Sequence, residues 1–306
     1  MRLDHHELVI DVGHGVRIAA RDHSSDGAPI VLLHGAGENL AIWDHVTELL
    51  APRYRVIALD FIGHGASSPG KEFTIEADLA AFEHVVREMK LSRAAVLGHS
   101  YGGMLAVRYA VDHPECPIVI NVDGHGNGRA EHYAGRSPGD VRKFWSRQDA
   151  AMVAALAGPD VGSEGFREAH LARMRAFAEM QDVTPEAVSG MGERSLRPFG
   201  TSGRWIRNPG GAFMVGMVRQ LADWDVFGLY SQAACPVALI LAMNPPKIGA
   251  DADFIRAHRT GLSDAFAELA AGNPQLRLVR SIAGHLLPLQ YPRRLATLVE
   301  HLYPAR

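Results

Sequence analysis

Hydrophobic positions along the chain switch between two periods, and that switching gives the order of elements. Residues 7–20 (ELVIDVGHGVRIAA) alternate apolar and polar side chains around Gly13-His14-Gly15, which predicts a β-hairpin. Short runs rich in Val, Ile and Leu follow at 30–33, 55–59 and 94–97. They are too apolar for half-exposed strands and suit parallel strands covered on both faces. Helix-period stretches at 42–51 and 75–90 lie between them. A helix over 101–112 and a fourth buried run at 117–122 continue the rhythm. Strand alternating with helix predicts an α/β fold, a mostly parallel twisted sheet with helices on both faces.

After Asp123 the pattern changes. Residues 124–222 show no strand-like run, but they hold helical stretches such as 164–181 and Gly/Pro breaks such as Asn208-Pro209-Gly210-Gly211. The earlier rhythm resumes with a strand at 236–242, a helix at 252–271, a strand at 276–281 and a closing helix at 292–303. The division this predicts is a core of residues 1–123 and 223–306 with a helical cap, 124–222. Such an insert would sit over the carboxyl ends of the strands, where open α/β sheets bind ligands.

Composition narrows the class. A net charge of −3 gives no broad positive field, which argues against nucleic-acid binding. Two cysteines, Cys116 and Cys235, imply no disulfide framework and fit a reducing, cytoplasmic setting. The opening MRLDHHELVIDV has charges and histidines where a secretory signal needs an apolar run. No apolar stretch approaches the roughly 18 residues that would span a membrane. The expected partner is a small-molecule substrate, bound by a monomer or homodimer.

The chemistry concentrates in Gly98-His99-Ser100-Tyr101-Gly102, between a strand and a helix. A sharp turn there lifts the Ser100 hydroxyl out of the sheet, and the glycines let neighbouring backbone pass close by. The N–H of Tyr101 then points at a developing oxyanion from a helix N-terminus. Among 16 histidines, His34, His64, His99 and His125 fall near strand ends. None has close metal-ligand spacing, and for His34, His64 and His99 a structural role in tight turns is expected. No cofactor or metal is expected.

These motifs, in this order, resemble the α/β-hydrolase superfamily, and the likeness covers nearly all of the chain outside the insert. His34-Gly35 resembles the family's HG turn, which implies that Ala36 supplies the second oxyanion N–H beside Tyr101. Asp60-Phe61-Ile62-Gly63-His64-Gly65-Ala66-Ser67 resembles its D-x-x-G-x-G-x-S turn, and Ala283-Gly284-His285 the loop carrying its catalytic histidine. The resemblance implies Ser100 as nucleophile and His285 as base. The acid usually follows the strand equivalent to 236–242, yet residues 242–246 (AMNPP) hold no carboxylate. Some relatives, haloalkane dehalogenases and zearalenone-type lactonases among them, place it one strand earlier. Asp123 is therefore the preferred acid, with Asp253 and then Asp251 as alternatives.

A serine nucleophile excludes haloalkane dehalogenase and epoxide hydrolase chemistry, which need a carboxylate at the elbow. What remains is a serine hydrolase cleaving an ester or lactone of an apolar, medium-sized molecule. C–C bond hydrolysis, perhydrolysis and non-catalytic ligand reception are the other compatible activities. Phe144, Trp145, Phe166, Phe177, Trp205 and Phe213, with five methionines, give the insert an apolar, adaptable character. Most of them are expected to form its own core. Arg204 and Arg207 are expected at a solvated surface.

Overall fold

The apolar runs become the centre of one sheet. A computed structural model describes residues 5–244 and 251–305. Strands β1 (His6–Gly13) and β2 (Val16–His23) form the hairpin. They are followed by β3 (Ala28–Leu33), α1 (Asp44–Leu50), β4 (Tyr54–Leu59) and α2 (Ile75–Glu88). Next come β5 (Ala95–His99), α3 (Tyr101–Asp112) and β6 (Val119–Val122). An insert then carries α4 (Pro138–Leu156), β7 (Val161–Gly162), α5 (Glu164–Met180) and α6 (Ser189–Arg194). It ends with β8 (Leu196–Phe199), β9 (Arg204–Arg207) and α7 (Gly211–Ala222). The closing elements are β10 (Val237–Ala242), α8 (Ala252–Gly272), β11 (Leu276–Ser281), α9 (Leu287–Gln290) and α10 (Pro292–Leu302).

Eight strands pair in the order β1-β2-β4-β3-β5-β6-β10-β11, and only the β1–β2 and β2–β4 pairs are antiparallel. Because successive strand residues face opposite sides, β3 serves two cores. Val31 and Leu33 pack with Phe82, Leu105 and Tyr109 on one face. Ile30 and Leu32 pack with Trp43, Val46 and Leu295 on the other. Each of these β3 side chains is fully buried, which is why the run reads as continuously apolar. Among the described residues no helix is long and apolar enough to cross a membrane.

The insert corrects one expectation. Its sequence shows no strand-like run, yet β7, β9 and β8 form a small antiparallel sheet. The strands are two and four residues long, and LRPF and RWIR carry arginines and a proline. So short a run cannot display a period of two. Arg207 departs from expectation too: it is largely buried and pairs with Asp160 at 2.7 Å. Asn208 is buried, and its side-chain amide donates to the Gly65 and Ser67 carbonyls in the turn after β4. The segment read as a loop break thus fastens the insert to the sheet.

Candidate active site

At the end of β5 the backbone turns at Ser100 with φ 51° and ψ −119°, and α3 begins at the next residue. A serine held there costs roughly 1–3 kcal/mol, which the surroundings must offset. They do so by close crossing. A Cβ on Gly98 would run into the Gly102 backbone, and one on Gly102 into the Leu33 carbonyl. Ser100 N–H donates to Val122 O at 2.9 Å, fixing the turn to β6. Tyr101, the first residue of α3, is among the N-terminal residues whose N–H groups lack intrahelical acceptors.

His285 lies in the loop after β11, and its Nε2 stands 3.1 Å from Ser100 Oγ. Its Nδ1 lies 2.7 Å from Asp123 Oδ2. With Nδ1–H donating to the carboxylate, Nε2 is left free to accept the serine proton. Asp123 directly follows β6 in a left-handed conformation (φ 55°) that aspartate tolerates better than most residues. Its carboxylate reaches across to β10, where Oδ1 accepts from Ala242 N at 2.8 Å, and Arg259 on α8 pairs with both oxygens. Burial opposes charge on Asp123, but Arg259 and the hydrogen bond from His285 hold its carboxyl well below the ordinary carboxylate range.

The other two carboxylates considered for this place lie elsewhere. Asp251 accepts from Gln148 at 2.6 Å and Arg147 at 3.3 Å. The Asp253 side chain is 81% exposed beside Arg256. Pro245 and Pro246 fall outside the described residues.

Three of the strand-end histidines divide by charge. Burial pushes His34 down to about 4 and His64 down to about 3, so both rings are neutral at physiological pH. Each has a nitrogen free to accept a turn amide, Phe61 N–H at 3.0 Å and Gly37 N–H at 3.2 Å. His99 differs. Burial opposes its charge, but Glu38 raises its pKa above the ordinary value. As an imidazolium it donates Nδ1–H to Glu38 at 3.0 Å and Nε2–H to the His285 carbonyl at 2.8 Å. It thus ties the His285 loop to the end of β5. Glu38 also accepts Gly35 N–H at 2.6 Å, which shapes the turn carrying Ala36.

A second buried carboxylate supports Tyr101, whose hydroxyl donates to Asp78 Oδ2 at 2.8 Å. Burial pushes Asp78 up to about 7, against the lowering effect of Tyr101 and Ile62 N–H. Its folded value lies above its ordinary 3.8, so the fold retains a proton that the unfolded chain releases. That contribution to stability is complete below 3.8 and is lost as pH rises through about 7. Asp78→Asn keeps the shape without the charge, and it should raise Tm by about 2–4 °C above neutrality and by progressively less as pH falls toward about 4. Thermal melts of both proteins across pH check this. Destabilisation of equal size at every pH would contradict it.

Ser100, His285 and Asp123 open onto a cavity of about 520 Å³, which Ala36 and Tyr101 also line. Met104, Leu286 and Leu289 form part of its wall. The insert contributes Trp145, Met152, Met174, Phe177, Met191 and Met214. Other insert aromatics take the structural place expected of most: Phe144 and Phe213 are buried, and Trp205 donates to Glu164. The described residues lining the cavity include the carboxylates of Glu38 and Asp149 but no lysine or arginine. Among the described residues no group of three or more His, Cys, Asp or Glu side chains is placed to hold a metal.

Sequence reasoning passes over Glu38, Asp78 and Arg259. Glu38 carries a faint signal, an acid three residues after the HG turn's glycine. Arg259 carries none, because it looks like any cation on a charged helix. The turn role expected of His99 omits its ion pair, which depends on a glutamate 61 residues away.

The alpha/beta hydrolase fold family matches residues 28–178, from β3 into α5. The chain is 30% identical over 233 residues to the dihydrolipoyllysine-residue acetyltransferase component of the acetoin cleaving system of Cupriavidus necator. That match covers 74% of this chain and 60% of the relative. It is 36% identical over 103 residues to an uncharacterised protein of Mycobacterium tuberculosis, covering 33% of this chain and 30% of that one. The chain thus spans less than two thirds of these relatives' length.

Among solved structures, E-2-(acetamidomethylene)succinate hydrolase superposes with a TM-score of 0.74 at 18% identity, covering 98% of this chain and 99% of that one. The enol-lactonase of Burkholderia xenovorans LB400 gives 0.64 at 17%, covering 96% and 99%. At such identities the likeness is one of fold. The chain belongs to the α/β-hydrolase superfamily.

Proposed function

We propose that the protein is a serine hydrolase that cleaves an ester or lactone of an apolar, medium-sized molecule through an acyl-enzyme. The observation that carries this reading is the line Ser100–His285–Asp123, with separations of 3.1 and 2.7 Å, at the floor of an apolar cavity. His285 Nε2 takes the Ser100 proton as Oγ attacks the carbonyl carbon. Asp123 holds the Nδ1–H tautomer and stabilises the imidazolium. The N–H groups of Ala36 and Tyr101 receive the oxyanion. His285 then returns the proton to the leaving oxygen, and a water activated by the same nitrogen releases the acyl group. Residues 124–222 act in this reading as a cap that closes the substrate in and chooses it. An enol-lactonase on the same fold supports a lactone or ester as substrate.

A fluorophosphonate probe tests the reading. It should attach once, at Ser100, and Ser100→Ala should take no label. Tight binding of an apolar ester by a probe-silent wild type would make the protein a receptor instead.

The cavity wall also sets the substrate's charge. A carboxylate on the acyl chain would meet methionines and the Asp149 and Glu38 carboxylates, with no cation among the described lining residues to pair it. Leaving a charged group unpaired in such a site is costly. Hydrolysis of p-nitrophenyl hexanoate should therefore exceed that of the p-nitrophenyl hemiester of adipic acid by about 10²-fold or more in kcat/KM. Equal rates would place the acyl chain outside this cavity.

A further inference from the structure

Asp123 is held from two sides. His285 Nδ1 meets Oδ2 at 2.7 Å. From the other side Arg259, about two turns into α8, brings Nη1 to 3.0 Å from Oδ1 and Nη2 to 3.2 Å from Oδ2. The same guanidinium donates to the Ala242 carbonyl at the end of β10. Arg259 is 7% exposed, and Asp123 is the carboxylate with which it pairs among the described residues. A fork that grips both carboxylate oxygens and an adjoining carbonyl leaves the acid little freedom to rotate.

We propose that Arg259 is a positioning residue for the triad: it fixes the Asp123 carboxylate toward His285 Nδ1 and offsets part of that carboxylate's pull on the imidazole proton. This rests on the triad reading given above. A buried carboxylate facing an imidazole alone would favour the imidazolium strongly. Paired with a cation at 3.0 Å it does so less. Arg259 therefore trades some stabilisation of the transition-state imidazolium for a fixed geometry.

Among the described residues, the remaining charges near the pair do not replace it. His125 Nε2 lies 3.7 Å from Asp123 Oδ1, but burial pushes that ring down to about 4, and its T-shaped neighbour His258 down to about 2. His99, against His285, is matched by Glu38. Arg256 and Asp182 line a smaller cavity that His285 and Arg259 also line, and Asp149 lines the substrate cavity.

The test compares pH profiles of kcat/KM for full-length wild type, Arg259→Met and Arg259→Lys, each with a thermal melt and fluorophosphonate labelling. In Arg259→Met, kcat should fall about 10²-fold, and the acid limb should move up by about one pH unit. Arg259→Lys keeps the charge but not the fork, so kcat should fall while the limb stays at its wild-type pH. An unmoved limb or unchanged kcat in a folded Arg259→Met overturns the proposal. Should that variant not fold, Arg259→Lys decides: a wild-type kcat or a displaced limb overturns it. A wild type that takes no label at Ser100 would overturn the triad reading itself, and this proposal with it. A labelled wild type with an indifferent Arg259→Met overturns the proposal alone.

Discussion

Ser100→Ala should lower kcat by about 10⁴- to 10⁶-fold, the loss that follows removal of a triad nucleophile. The change deletes one oxygen and leaves the elbow backbone as it is. Gly98, Gly102 and the bond from residue 100 to Val122 O do not involve the hydroxyl. The variant should accordingly melt close to the wild type and still bind an unreacted ester. Turnover of p-nitrophenyl hexanoate, together with titration of a non-hydrolysable ether analogue, separates the two effects. Retention of even one hundredth of the wild-type kcat in a homogeneous preparation would remove Ser100 from the nucleophile's role.

Asp123→Asn should cost about 10⁴ in kcat, because an amide facing Nδ1 supports the wrong imidazole tautomer. The structure adds a second consequence. A neutral amide at this position would leave the buried Arg259 guanidinium without a counter-ion, and breaking a buried pair from one side costs about 3–5 kcal/mol. Thermal unfolding must therefore be measured beside kinetics, and activity expressed per folded molecule. Asp251→Asn should keep most activity, since that carboxylate is bonded to Gln148 and Arg147. Asp253→Asn should do the same from its exposed position. A dead Asp253→Asn beside an active Asp123→Asn would move the acid to α8.

What the sequence made legible follows the strength of its local signals. The buried strands announce themselves, since a run such as IVLL has no face turned to water. The elbow was readable because its glycines answer a local steric need. The small sheet of the insert was not, because its strands are too short to show a period. Charge pairs leave the least trace in the sequence. Glu38 with His99, Asp60 with Arg194, and Asp123 with Arg259 join residues separated by 61, 134 and 136 positions. No spacing rule links such pairs, and only the folded chain brings them together. Residues 242–244 hold no carboxylate, and it is Asp123 that reaches the backbone at the end of β10.

The cavity wall has a consequence for how such a protein changes over generations. Ser100, His285 and Asp123 stand on the strand ends of the large sheet, whereas Met152, Met174, Phe177, Met191 and Met214 come from the stretch between β6 and β10. Heritable variation can thus reshape the cavity wall without touching Ser100, His285 or Asp123. Methionine suits that role, because its unbranched chain repacks around a new neighbour more cheaply than a branched one. A library confined to these five positions would sample new cavity shapes above an unaltered Ser100. One that included Gly98 or Gly102 would return mostly chains that cannot make the elbow turn.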